Sequence, residues 1–124
     1  ADVLLMYAEA CNELGESREA LDKLEMVRAR ARRTVHPADM TVGLPEITET
    51  GKEKLREIIW NERRIELALE GHRFFDLIRA DKVVPGYAEK MMKAHGKTNF
   101  SIAKHATFFI PQKQVDISQG VLKN

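Results

Sequence analysis

A chain of 124 residues is one domain's worth of polypeptide, with enough apolar content (44%) for a modest core. Twenty basic and nineteen acidic residues nearly cancel, so no global field draws this chain to nucleic acid or an anionic surface. Cys11 stands alone, which excludes an internal disulfide framework. Among helical apolar neighbours it reads as a small buried hydrophobe rather than a reactive thiol.

No apolar run reaches transmembrane length, and no basic segment followed by an apolar stretch opens the chain. Asp2 and Val3-Leu4-Leu5-Met6 follow Ala1 directly, already in a helical pattern. The chain is therefore expected to be a piece of something longer.

The first helix is expected from Asp2 to Leu14, with Val3, Tyr7, Ala10, Cys11 and Leu14 on one face, widened by Leu4 and Ala8. Gly15 is a natural stop, because it accepts the left-handed conformation that ends helices. Ser17 is placed to cap a second helix whose stripe is Ala20, Leu21, Leu24, Val27 and Ala31. The pair makes an antiparallel helical hairpin similar to one tetratricopeptide repeat. Only one copy is visible, and one such unit cannot bury its own face. A face including Val3, Tyr7, Leu21 and Leu24 is therefore expected to stay partly uncovered.

Residues 34–51, with Pro37, Gly43, Pro45 and several threonines, read as a loop. A third helix is expected from Lys52 to Glu70, a break at Gly71, and a short helix from His72 to Ala80. Pro85-Gly86 is a turn, and Tyr87 to Ala94 a further amphipathic helix. The tail from Phe100 to Asn124, with a β-like segment at Thr107-Phe108-Phe109-Ile110, reads as an extended strap. The fold class is all-α: a tetratricopeptide-like hairpin, further packed helices and a C-terminal strap, in one domain over residues 1–124.

The stretch from Glu62 to Leu77 carries the strongest signal. Leu55, Ile58, Glu62, Ile65 and Leu69 recur at steps of three and four, so Glu62 interrupts a hydrophobic seam. A buried carboxylate is costly unless paired and hydrogen-bonded. Arg73 or Arg64 is the expected partner, with Arg63 also near, since guanidinium donors match a carboxylate in fork geometry.

Other constellations read as structural. Arg28, Arg30, Arg32 and Arg33 spread round more than half the circumference of a helix end, where cations complement the dipole, so they read as a solvated terminus. His36, His72, His95 and His105 have no partner at zinc-helix spacing, and no Glu-x-x-His accompanies the Glu62, Glu66, Glu70 ladder; no metal ligand is assigned. Three carboxylates on a single helix do not flank a bond across a cleft as a glycosidase pair does, and no catalytic residue or cofactor is assigned. Trp60 is expected to be packed or covered by Arg63 or Arg64 rather than to serve as a sugar platform. Tyr87, beside the Pro-Gly turn, is weak support for a ligand site. The phenylalanine pairs Phe74-Phe75 and Phe108-Phe109 read as core and strap.

In order along the chain stand Ala1-Asp2-Val3-Leu4-Leu5-Met6-Tyr7-Ala8-Glu9-Ala10, Val27-Arg28-Ala29-Arg30-Ala31, the Glu62-Arg63-Arg64 to Asp76-Leu77 block and Ile110-Pro111-Gln112. Together they resemble the C-terminal region of SusD/RagB-type proteins. The resemblance implies a surface-exposed lipoprotein of the Bacteroidetes outer membrane, with the lipid anchor outside this chain. It also implies non-catalytic capture of oligosaccharides or other nutrients, working with a SusC-like TonB-dependent transporter in polysaccharide utilisation. Arg32-Arg33 replaces the family's usual glycine after Arg-Ala, so the second helix is expected to run longer, and Val115-Asp116 departs mildly from the usual Glu-Ile. The family's sugar-stacking aromatics mostly come from elsewhere, so the ligand-binding residues are unknown. The alternatives are an intracellular tetratricopeptide-like adaptor for peptides and, more distantly, a glycoside-processing enzyme. A secretory signal and lipidation cysteine in the parent reading frame would separate the first reading from the adaptor; glycan turnover would favour the enzyme.

Overall fold

Gly15 ends the first helix at φ 86°, and the turn is closed by the amides of Gly15 and Glu16 on the carbonyls of Asn12 and Cys11. This closure follows from glycine's tolerance of the left-handed region. It reverses the chain within two residues, so α1 (Asp2–Leu14) and α2 (Ser17–Val35) pack side by side as a helical hairpin. The computed structural model describes residues 1–35, 38 and 43–123. His36, Pro37 and the middle of the expected loop lie outside the described residues. The chain divides into two compact units, Ala1–Arg73 and Phe74–Asn124.

In the first unit α3 (Lys52–Glu66) packs against the hairpin. The core joins Leu5, Ala8 and Cys11 of α1, Ala20, Leu24 and Val27 of α2, and Leu55 and Ile59 of α3. Burying such side chains stabilises by roughly 1.5–3 kcal/mol for each large aliphatic one. The second helix continues to Val35 through Arg32-Arg33, as the missing glycine predicts. Ser17 does not cap it: Ser17 is its first helical residue, and its hydroxyl donates to the Thr50 carbonyl at 3.1 Å.

The buried face of α1 differs from the expected one. Val3 and Leu14 are 71% and 77% exposed, and Tyr7 and Ala10 also face outward. Ala8 and Cys11 are buried as expected, but Leu5, Glu9 and Asn12 turn inward with them. Apolar residues occur nearly all round this helix, so hydrophobicity does not select a face. Polar partners on α3 do, because Glu9 and Asn12 each find one there. Of the face expected to stay uncovered, Val3 and Tyr7 are exposed, Leu21 is half-buried and Leu24 is buried.

The third helix stops four residues earlier than the periodicity predicts. Beyond Glu66 the chain turns through Ala68→Ile65 and Glu70→Leu67 backbone bonds, with Leu69 at φ 67°. The seam consequently fails past Glu62: Ile65 and Leu69 are exposed, while Ile59, Trp60 and Leu67 are buried. Gly71, at φ 81°, lies within the break, two residues before the next helix begins.

The second unit is built from α4 (Arg73–Val83), α5 (Tyr87–Ala94), α6 (Ile102–His105) and α7 (Gln112–Ile117), α4 entering it from Arg73. Leu77, Ala80, Tyr87 and Ala88 are its buried residues. The turn before α5 has Gly86 at φ 85°, and the Asp81 carboxylate accepts the Ala88 amide at 2.8 Å, satisfying a donor of the first turn. Glu89 Oε1 likewise accepts the Ile102 amide at 3.1 Å, tying the tail to α5.

Among the described residues there is no strand, and the fold is all-α. The expected β-like segment is a non-helical stretch between the two short helices of the tail. Phe108 and Phe109 within it are exposed, as is Phe75, so these phenylalanines do not form core. Phe74 is half-buried, 5.6 Å by ring centroids from both Phe75 and Phe108. No helix among the described residues is long and apolar enough to cross a membrane.

Candidate functional site

The charged residues singled out in the sequence meet at the junction of α2, α3 and the segment that joins them. The inward stripe of α2 runs Ala20, Leu24, Val27 and then Arg28 and Arg32, at helical spacing, so its last two turns present guanidiniums where the first present methyl groups. Arg28 Nη1 donates to Glu62 Oε2 at 2.7 Å, both side chains being under a tenth exposed. Glu62 is thus buried and paired with an arginine, as its place in the seam predicts. The partner is not Arg64 or Arg73. Two residues on a helix differ by about 200° in direction, so Arg64 points away from Glu62. Its guanidinium returns to Asn61 Oδ1 at 3.0 and 3.1 Å.

The basic run is therefore not a solvated terminus throughout. Arg28 and Arg32 are 7% and 6% exposed, whereas Arg30 and Arg33 face water. Arg28 Nη2 also donates to the Pro45 carbonyl at 2.9 Å, and Arg32 Nη1 to the Leu44 carbonyl at 2.7 Å. Arg32 pairs with Glu25, and Arg30 with Glu66. Two rungs of the Glu62, Glu66, Glu70 ladder are thus answered from α2, while Glu70 is exposed. The sequence holds the signal that Arg28 and Arg32 are buried: they sit four apart and continue the apolar stripe.

A second group ties α1 to α3. Trp60 is 4% exposed, and its indole N–H donates to Glu9 Oε1 at 2.9 Å. Arg56 is a cation neighbour, with the guanidinium carbon 6.0 Å from the ring centroid, whereas Arg64 turns to Asn61. Arg63 reaches Asp2 Oδ1 at 2.8 Å. Arg56 grips Glu13 through two bonds of 2.5 and 2.7 Å, and Lys52 Nζ lies 3.3 Å from the same carboxylate. The Arg56 bond, assisted by Lys52, holds the Glu13 carboxyl below the usual glutamate range. Burial pushes the Cys11 thiol up, away from the reactive thiolate.

Among the described residues are two concavities of about 300 Å³, at the lower end of the size of small-molecule pockets. One runs along α2, lined by Arg18, Leu21, Asp22, Glu25, Glu46 and Ile47 among others, with no aromatic ring. The other, in the second unit, is formed by residues 96–100 and His105, whose ring stacks on Phe100 at 5.4 Å. Tyr87 is buried as the first residue of α5 rather than displayed in a loop. Among the described residues no group of three His, Cys, Asp or Glu side chains comes together as a metal cage.

The geometry defines an all-α protein whose specific charged block stitches a tetratricopeptide-like hairpin to the next helix. The sequence model of the SusD family matches residues 1–124, and the chain belongs to that family. Three SusD-like proteins of Formosa agariphila are similar to it. P38 is 39% identical over 85 residues, covering 68% of this chain and 16% of that protein. P2 is 41% identical over 83 residues, covering 64% and 15%, and P25 is 42% identical over 79 residues, covering 64% and 14%. The matched stretch is thus no more than 16% of the length of these curated relatives. No solved structure matches the chain significantly.

Proposed function

We propose that this chain is the C-terminal helical part of a surface-exposed, lipid-anchored nutrient-binding protein. In this reading the whole protein captures an oligosaccharide or similar nutrient, without catalysis, for a SusC-like TonB-dependent transporter in the outer membrane. The observation that carries the reading is the SusD family match over residues 1–124. The site's chemistry supports a scaffold role for this region. Glu62, Glu66 and Arg63 of the specific block are committed to inter-helix pairs, and Trp60 is buried against Glu9.

The test is calorimetry of the full-length protein and of this chain against a set of neutral oligosaccharides. A sugar site of useful affinity needs converging aromatic faces and polar groups in one concavity. The full-length protein is expected to bind, and the chain to give no heat beyond dilution. Glycan turnover, or absence of any nutrient binding by the full-length protein, would overturn the reading. Saturable binding by the chain that is lost in Trp60→Ala would make Trp60 a ligand platform.

A further inference from the structure

The segment crossing from α2 to α3 is held by its backbone. The carbonyls of Leu44, Pro45, Thr50 and Lys52 accept from the side chains of Arg32, Arg28, Ser17 and Asn12 respectively, at 2.7 to 3.1 Å. All four donors belong to the hairpin. Between these grips Ile47 packs against the core, and Glu46 and Thr48 face water. With Ile47, Glu46 and Thr48 form one wall of the concavity along α2; Leu21, Asp22 and Glu25 stand in the other. The cleft therefore exists only while the crossing is seated.

Two arginines connect that wall to other elements. Arg32 joins Glu25 of the cleft to the Leu44 carbonyl. Arg28 divides its guanidinium between the Pro45 carbonyl and Glu62 of α3. One rigid planar group thus serves both the crossing and the third helix. If Glu62 is lost, Arg28 is a buried cation without its counter-charge, and any move toward water takes it off Pro45.

We propose that Arg28 is a latch that makes the seating of residues 44–50 and the docking of α3 a single event, so that the cleft along α2 opens and closes with α3. The coupling is reciprocal, as linkage requires: loosening the crossing at Arg32 loosens α3, although Arg32 does not reach Glu62 in this arrangement.

The experiment uses nitroxide labels in a Cys11→Ser chain, one on Thr48→Cys in the crossing and one on Glu57→Cys on the exposed side of α3. Glu62→Gln is expected to raise label mobility at 48, at a distance from the substitution. Arg32→Gln is expected to raise it at 57 as well as at 48. Arg30→Gln, which breaks only the outer pair with Glu66, is expected to leave position 48 unchanged. If Glu62→Gln does not fold, the Arg32→Gln arm still decides. Mobility at 57 unchanged in folded Arg32→Gln, or mobility at 48 unchanged in folded Glu62→Gln, would overturn the latch and leave Arg28 an ordinary buried pair.

Discussion

Arg28 and Glu62, 34 residues apart in sequence, form a 2.7 Å ion pair with both side chains less than a tenth exposed. The pair joins the last two turns of one hairpin helix to the last two turns of the next helix. Taking one partner away leaves a buried charge, which typically costs about 3–5 kcal/mol. Glu62→Ala is expected to lower the unfolding free energy in urea by that order. Arg64→Ala, which loses only a bond to surface Asn61, is expected to stay within about 0.5 kcal/mol of the parent. The double replacement Arg28→Met with Glu62→Leu should recover much of the loss, since apolar substitutes remove both charges. Equal destabilisation by Arg64→Ala and Glu62→Ala would contradict the assignment.

Trp60→Phe keeps a ring in the core but deletes the N–H that Glu9 accepts. The buried Glu9 carboxylate then lacks that bond, a change worth about 1–3 kcal/mol. Thermal melts should show that loss. The parent's tryptophan emission should be blue-shifted and poorly quenched by iodide, because the ring is 4% exposed. An emission maximum typical of water-exposed indole would contradict it.

Acid sensitivity is expected from Glu13. Its carboxyl is held low by Arg56, so its folded pKa lies below the unfolded value of about 4.3. The stabilisation is complete above the unfolded pKa and is lost as pH falls through the folded one. Glu13 is about a third exposed (35%), which limits its contribution to about 1 kcal/mol. Glu13→Gln should therefore be slightly less stable at neutral pH, and its stability should fall less steeply below pH ~4. Parallel acid limbs for the two proteins would remove Glu13 from the account.

The outward stripe of α1 carries Val3, Tyr7 and Leu14, with Met6 beside it. Contiguous exposed apolar surface promotes association. Sedimentation of the chain is expected to show self-association at moderate concentration, and Val3→Lys with Leu14→Glu to shift it toward monomer. A strictly monomeric parent would refute the prediction.

The bounds of α1 and α5, the Gly15 closure and the burial of Glu62 were legible in the sequence, because each depends on residues within a few turns of one another. Periodicity places a residue on a face of its own helix, and glycine marks where that helix ends. The specific block likewise pointed to the SusD family without any coordinates. Tertiary structure decided the rest. α1 is apolar nearly all round, so only the polar groups of α3 could choose Glu9 and Asn12 for the inside. Glu62 had three arginines nearby in sequence, yet helix crossing brought Arg28 to it from another element. Local spacing tells a carboxylate that it needs a cation; which cation arrives depends on how the helices pack.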